Sequence, residues 1–233
     1  MNHLSQPMSY AVDNWSERQR PTYTPMQGQS CRVVPLEPER HAADLYAANN
    51  EDREGRMWTY LTFGPFPSFE DFFAMLNEWR LKEDWHIHAI LDEPNGLASG
   101  LASYMHIEPR HGSIEVGAVM FSPRLQRTRA ATEAMYLLMR RAFDELGYRR
   151  YEWKCNALNE ASTQAAKRLG FQFEGICRQA TVVKGYNRDT AWLSVIDRDW
   201  PKVKAAFEAW LSPGNFDSNG RQCRSLTQIR NQL

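Results

Sequence analysis

The sequence predicts a mixed α/β domain: a twisted, mostly antiparallel sheet of about seven strands flanked by helices. Three observations carry that expectation. Short apolar runs bounded by Gly, Pro and Asn turns alternate with longer stretches whose apolar residues recur at helical spacing. Their order is one strand, two helices, three strands, then helix, strand, helix and two strands. Finally, an apolar run at 114–120 passes through a polar turn into a long amphipathic stretch, a strand feeding a helix N-terminus.

Residues 1–29 are polar and Pro-containing, with Tyr10, Trp15 and Tyr23 scattered without period; they read as an extended arm whose aromatics pack along the domain. Residues 31–36 form a first strand, and 38–49 a helix with Leu45 and Tyr46 inward. Residues 57–67 are an aromatic loop broken by Gly64, Pro65 and Pro67. Ser68 then caps a helix through about Leu81, with Phe69, Phe72, Phe73, Leu76 and Trp79 at helical spacing. Three strands at 86–91, 97–107 and 113–120 follow, joined by turns at 92–96 and 110–112, as a meander. The helix at 126–146 carries Ala131, Met135, Leu138, Met139, Ala142, Phe143 and Leu146 on one face, and Gly147 ends it as a left-handed cap. A strand at 151–155, a helix at 160–169, strands at 171–183 and up to 196, and a helix at 199–211 complete the domain. The domain spans 30–212, and 213–233 read as a polar C-terminal tail.

Lys plus Arg and Asp plus Glu are balanced at 28 each, which argues against direct nucleic-acid binding, since that needs a basic surface to displace counterions. No apolar run approaches the ~20 residues of a membrane span, and the N-terminus has no apolar signal core. The four cysteines match no zinc or redox spacing. His86 and His88 share a strand face without a carboxylate or thiol at matching spacing, so they read as satisfied strand histidines and no metal is expected. A soluble cytoplasmic protein is the expectation.

The turn Gln126-Arg127-Thr128-Arg129-Ala130-Ala131 opens the long helix, and Asn159-Glu160-Ala161-Ser162 and Leu169-Gly170-Phe171 follow downstream. Free N–H groups in a helix's first turn, together with the dipole, favour phosphate. On these residues, over 31–200, the chain resembles the GCN5-related N-acetyltransferases (GNAT), in particular the branch that acetylates ribosomal-protein N-termini. That family reads Gln/Arg-x-x-Gly-x-Gly/Ala at the turn. Gln126 and Ala131 match the ends, while Arg129 replaces the middle glycine. Two roles stay open for Arg129, a side chain directed away from the ligand or one paired with a phosphate oxygen. The resemblance implies acetyl-CoA as co-substrate, held at Gln126, Arg127, Thr128, Arg129, Ala130, Ala131 and Asn159. Strands 113–120 and 151–155 would splay around the pantetheine arm, with backbone groups of Val119, Met120 and Phe121 facing it.

Acyl transfer to an amine needs a proton acceptor for the ammonium, a stabiliser for the oxyanion and a proton for the thiolate. Ile114, Val116 and Ala118 share one strand face, which puts Glu115 on the other, where the family places a carboxylate base. The alternative is a carboxylate paired across the sheet with a cation. Ser162 matches the serine that the branch offers as proton donor, the alternative being a serine that supports the helix start or holds the pantetheine; the tyrosine of other members would fall at Ala166. The glutamate that the branch carries in a later strand is Thr181 here. Trp58, Tyr60, Phe63 and Phe66 on the loop between the first two helices suit an amine with a flat or apolar body, or a peptide N-terminus, or else cap the core. Trp58, Tyr60, Phe63 and His106 are the acceptor-site candidates. The expected activity is acetyl transfer to a primary amine by direct attack. A larger acyl group such as succinyl, held by Arg129 or His106, stays open, as do a non-catalytic acyl-CoA-binding member and a homodimer through a strand edge.

Overall fold

The computed structural model describes residues 4–93 and 95–233. Residues 1–3 of the expected arm and Pro94 of the expected turn at 92–96 lie outside the described residues. The strands are β1 (Met26–Gln27), β2 (Cys31–Pro35), β3 (His86–Asp92), β4 (Ala98–Glu108), β5 (Ser113–Phe121), β6 (Arg150–Asn156), β7 (Gln172–Val183) and β8 (Tyr186–Ile196). They make one sheet in the order β1-β2-β3-β4-β5-β6-β8-β7. Neighbours are antiparallel except β5 and β6, whose connection is long enough to carry a crossover helix and so lets them run parallel. The eighth strand arises in the expected arm, where Met26 and Gln27 pair with Val33 and Arg32.

Among the described residues six α-helices cover the sheet: α1 (Pro38–Asn49), α2 (Phe69–Arg80), α3 (Arg129–Arg140), α4 (Glu160–Leu169), α5 (Trp200–Leu211) and α6 (Leu226–Gln232). One buried cluster joins α1, α2 and the aromatic loop to the sheet, through Leu45, Trp58, Phe72, Leu76, Ile87 and Leu101. A larger one joins α3–α6 to the other side, through Met135, Leu138, Tyr151, Phe171 and Phe207. The domain is therefore a three-layer sandwich with the sheet in the middle.

Helix α3 begins at Arg129, three residues later than expected. Arg127 has φ +62° and Thr128 is extended, so neither continues a helix. Thr128 instead caps it, its Oγ1 accepting the Ala131 N–H at 3.1 Å. The expected last turns are a π segment, Arg141–Glu145, around a buried arginine. The Arg141 guanidinium donates to the carbonyls of Thr24 at 2.6 Å and Pro25 at 3.2 Å, tying the arm to the helix. Every residue from Ala130 to Met139 is buried, because the β1–β2 hairpin and α5 close the sides that the sheet leaves open. Buried Glu133 accepts the N–H groups of Gln29 (2.8 Å) and Ser30 (2.6 Å), and a Cβ on Gly28 would lie 2.6 Å from its carboxyl carbon. That close approach is why the hairpin turn carries glycine.

The rest of the arm lies along the domain. Trp15 Nε1 donates to the Arg110 carbonyl, the Tyr148 hydroxyl to the Gln19 carbonyl, and Tyr23 stacks on His86. The C-terminal segment is a correction. Instead of a polar tail, residues after Ser212 form a 3-10 turn and α6, which lies against α4 and α5 with Leu226 and Ile229 buried. Ser225 and Gln228 form a reciprocal capping box. Arg230 donates to the last carbonyls of α4, at Arg168 (2.7 Å) and Lys167 (3.0 Å). The strand histidines are corrected as well. Neither ring nitrogen of fully buried His88 has a hydrogen-bond partner among the described residues, and neither has Nδ1 of His86. Burial, with the Arg141 charge, pushes His88 down to about 3, so it is a neutral core side chain. No group of three or more His, Cys, Asp or Glu among the described residues is arranged for a metal ion. No helix there is long and apolar enough to cross a membrane.

Candidate active site

The parallel pairing of β5 with β6 is short. It runs from Ser113 opposite Arg150 to Val116 opposite Trp153, and beyond that the strands part. The cause is local to β5: Gly117 pairs with Ser103 and Met120 with Leu101, so Ala118 and Val119 face the single Ala102. Ala118 adopts φ +47° in this bulge, which bends the strand away from its neighbour. Met120 and Phe121 keep their β4 side paired, and no strand among the described residues pairs with Val119, Met120 or Phe121 on the β6 side. A fork between parallel strands thus opens at Gly117 with one bare backbone edge.

Glu115 stands at its apex, on the face away from Ile114 and Val116, as the alternation predicts; Ala118, expected on their face, packs instead against the α1–α2 cluster because the bulge shifts the alternation. Its side chain is 6% exposed, and Oε2 binds His106 Nδ1 at 2.8 Å and Lys154 Nζ at 2.7 Å. The space is left by Gly117, where a Cβ would lie 3.1 Å from Glu115 Oε1. Lys154 also binds Glu152 at 3.0 Å, and Glu152 binds Arg150 at 2.6 Å. Arg150 reaches Glu174 on β7, so a ladder of alternating charges crosses the sheet. Burial works against the Lys154 ammonium, but its bonds to Glu115 and Glu152 and their charges hold it above the usual lysine range. Burial likewise opposes ionised Glu152, yet Arg150 and Lys154 keep it below the ordinary carboxylate range. The hydrogen bond to Glu115 raises His106, against partial burial.

Ser162 lies behind the fork in the first turn of α4. Its Oγ accepts the Trp153 indole N–H at 3.0 Å, which leaves the hydroxyl proton available for donation. Trp153 is the last β6 residue paired with β5, so the hydroxyl is anchored where the strands part. Asn159 caps the same helix, Oδ1 accepting the Ser162 N–H at 3.1 Å. Gly170 ends it with φ +109° against Val203, the backbone need behind the Leu-Gly-Phe sequence.

At the α3 entrance, Gln126 Nε2 donates to the Phe121 carbonyl at 2.8 Å and folds the turn back on β5. Gln126 and Arg127 are exposed. Thr128 takes the Ala131 N–H, so the first-turn donors without an intrahelical acceptor are those of Arg129 and Ala130. The Arg129 side chain leads away from them. It donates to the Leu211 carbonyl at the end of α5 and to Gln29 Oε1 (2.9 Å), and its guanidinium lies 4.5 Å over the Phe216 ring. The guanidinium is thus engaged by the end of α5, the β1–β2 turn and Phe216.

The aromatic loop splits. Trp58 is buried against Phe63 and Phe66, and Phe63 meets Trp79 edge-on at 4.5 Å, so these rings roof the α1–α2 core. Trp58 and Phe66 also line a cavity of about 270 Å³ with Tyr46, Asn49, Asp52 and Phe72. Tyr60, Phe63 and His106 do not line it. Tyr60 is half-buried. Lys184, at the β7–β8 turn, donates to the Trp58 carbonyl at 2.8 Å and bridges the hairpin to the loop. Two residues were missed from sequence. Lys154 shares a strand face with Arg150 and Glu152, a visible alternation, but its meeting with Glu115 depends on the β5–β6 register. Lys184 gives no local signal.

Residues 32–172 match the family model of the GNAT acetyltransferase domain. A GCN5-related N-acetyltransferase from Brucella melitensis is 41% identical and superposes with a TM-score of 0.92, over 94% of this chain and 100% of that one. A probable GNAT-family acetyltransferase from Chromobacterium violaceum is 39% identical, with a TM-score of 0.79 over 84% and 98% of the two chains. The microcin C7 self-immunity acetyltransferase MccE, solved with acetyl-CoA and AMP, shares the fold at 19% identity (TM-score 0.64, 72% and 93% covered). No curated protein matches the sequence. The chain belongs to the GNAT acetyltransferases, enzymes that use acetyl-CoA as co-substrate.

Proposed function

We propose that this protein moves an acetyl group from acetyl-CoA to a primary amine by direct attack, without an acyl-enzyme. The observation that carries the reading is the fork: a bare β5 edge, buried Glu115 at its apex and the Ser162 hydroxyl anchored behind it. The donor fits the residues present. Free N–H groups of Arg129 and Ala130, with the helix dipole and exposed Gln126 and Arg127, favour its phosphates. The backbone of Val119, Met120 and Phe121 offers amide partners to the pantetheine, beside Thr128, Ala131 and Asn159. When bound, acetyl-CoA supplies a thioester carbonyl as electrophile. The His106–Glu115 side of the fork takes the ammonium proton, and Ser162 donates to the leaving sulfur.

The acceptor is a protein N-terminus or a small amine. Acetyl-CoA bound to MccE supports acetyl as the acyl group. Succinyl gains no such support, because Arg129 is spent on Leu211, Gln29 and Phe216, and His106 already faces a carboxylate. The test is release of CoA thiol from acetyl-CoA and succinyl-CoA over a panel of primary amines. Amine-dependent release from acetyl-CoA that falls in Glu115→Gln, with CoA affinity retained, supports the reading. Binding without release from any amine refutes catalysis.

A further inference from the structure

We infer that His106, held by Glu115, is the side chain that takes the proton from the acceptor ammonium, and that Glu115 is a positioning residue. The inference rests on the transferase reading of the fork. Three observations lead to it. Glu115 is nearly sealed, and its Oε2 is already occupied by an imidazole and an ammonium, at 2.8 and 2.7 Å. The His106 side chain, by contrast, is 63% exposed and open to an incoming amine. The backbone is also bent to present it: His106 has φ +44°, in a stretch where the β4–β5 register slips between Met105 and Glu108. A non-glycine residue in the left-handed region persists only where its surroundings impose it, and such positions gather at functional sites.

The chemistry follows from the bond. In neutral His106, Nδ1–H donates to the Glu115 carboxylate, which fixes the tautomer and puts the lone pair on Nε2. The acceptor ammonium gives one proton to Nε2, and its nitrogen keeps the electron pair. That pair forms the amide C–N bond as the thioester C–S bond breaks, and the second proton leaves with the sulfur as CoA thiol. The imidazolium returns its proton to solvent. Glu115 stabilises the imidazolium while it exists, and Lys154, 2.7 Å from the same carboxylate, holds Glu115 in place. The charges facing His106 are Glu115 from β5 and Glu152 and Lys154 from β6; the carboxylates raise its pKa and the ammonium lowers it.

The test joins a titration of the free protein to kinetics. The His106 imidazole is followed by NMR against pH in the wild type and in Glu115→Gln. Turnover with acetyl-CoA is measured on benzylamine and on a hexapeptide with a free N-terminal serine, in the wild type and in His106→Gln, whose exposed side chain spares the core. The expected results are a His106 midpoint above 6.5 that drops in Glu115→Gln, and a loss of kcat of about 10²-fold or more in His106→Gln with the KM for acetyl-CoA within about threefold. A midpoint at or below 6.5 overturns the assignment whatever the acceptor, and so does a kcat in His106→Gln within twofold of wild type. Calorimetry separates the two failures. No acetyl-CoA binding by the wild type removes the transferase reading itself, whereas intact binding with unchanged His106→Gln turnover removes His106 alone.

Discussion

Replacing Lys154 by methionine keeps the aliphatic stem and removes an ammonium held 2.7 Å from Glu115 and 3.0 Å from Glu152. Side-chain exposures of 15% for Lys154, 6% for Glu115 and 13% for Glu152 place all three largely out of water. At an effective dielectric of about 20, the gross attraction is roughly 6 kcal/mol per pair. Desolvation offsets much of it, and removing one partner of a buried pair costs about 3–5 kcal/mol net. Glu115 keeps His106 and Glu152 keeps Arg150, so the expected loss is at the low end, about 3 kcal/mol. For a chain of this length that lowers Tm by about 6–12 °C. The assay is calorimetric or urea unfolding of Lys154→Met and of Lys154→Met/Glu115→Gln. The double variant also removes the buried Glu115 charge that has lost its ammonium, and recovers at least about 1 kcal/mol of the loss. A Lys154→Met destabilisation below about 0.5 kcal/mol, the range of an ordinary surface change, refutes the argument that this ladder is a buried, mutually dependent unit.

The same ladder sets a pH dependence: Glu152 is lower in the folded state, so its stabilisation is present above 4.5 and is lost as pH falls through the folded value; Lys154 is higher, so its share persists below 10.5 and fades above it. Urea midpoints between pH 3 and 6 that fall less in Glu152→Gln than in wild type fit this, and parallel curves contradict it. Thr128→Ala removes the α3 cap and costs about 1 kcal/mol, read by thermal unfolding. Leu226→Ala in α6 costs about 2–5 kcal/mol; a free tail would lose nothing. Arg129→Gly restores the family's glycine yet gives up the Leu211, Gln29 and Phe216 contacts, so it destabilises the fold while leaving acetyl-CoA affinity within about threefold; a gain of tenfold or more, about 1.4 kcal/mol, would mean that Arg129 obstructs the site.

Much of the architecture was legible because it rests on local rules. The period of the α1, α2 and α4 faces, the Ser68 cap and the strand-to-helix turn at 121–129 are written in adjacent residues. The misses are long-range. A two-residue β1 has no periodicity to detect, and it exists because Glu133, about a hundred residues away, receives the turn that follows it. Helix α6 holds only Leu226 and Ile229 as buried apolar residues within a polar stretch, and its stability comes from α4 and α5. In the site, alternation put Glu115 on the correct face, but its contacts with Lys154 and His106 depend on the β5–β6 register and on the bend at His106. Arg129 shows the same divide: the sequence marked the missing glycine, and only the fold revealed that Leu211 and Phe216 claim the replacement.

Calorimetric titration of the wild type and of Gln126→Glu with acetyl-CoA tests the central claim most directly. Gln126 is exposed at the turn, so the substitution adds a negative charge beside the expected phosphates without entering the core. The account predicts micromolar binding by the wild type and about tenfold weaker binding by the variant, near 1.4 kcal/mol. Absence of binding by the wild type, or equal affinity of the two proteins, would contradict it.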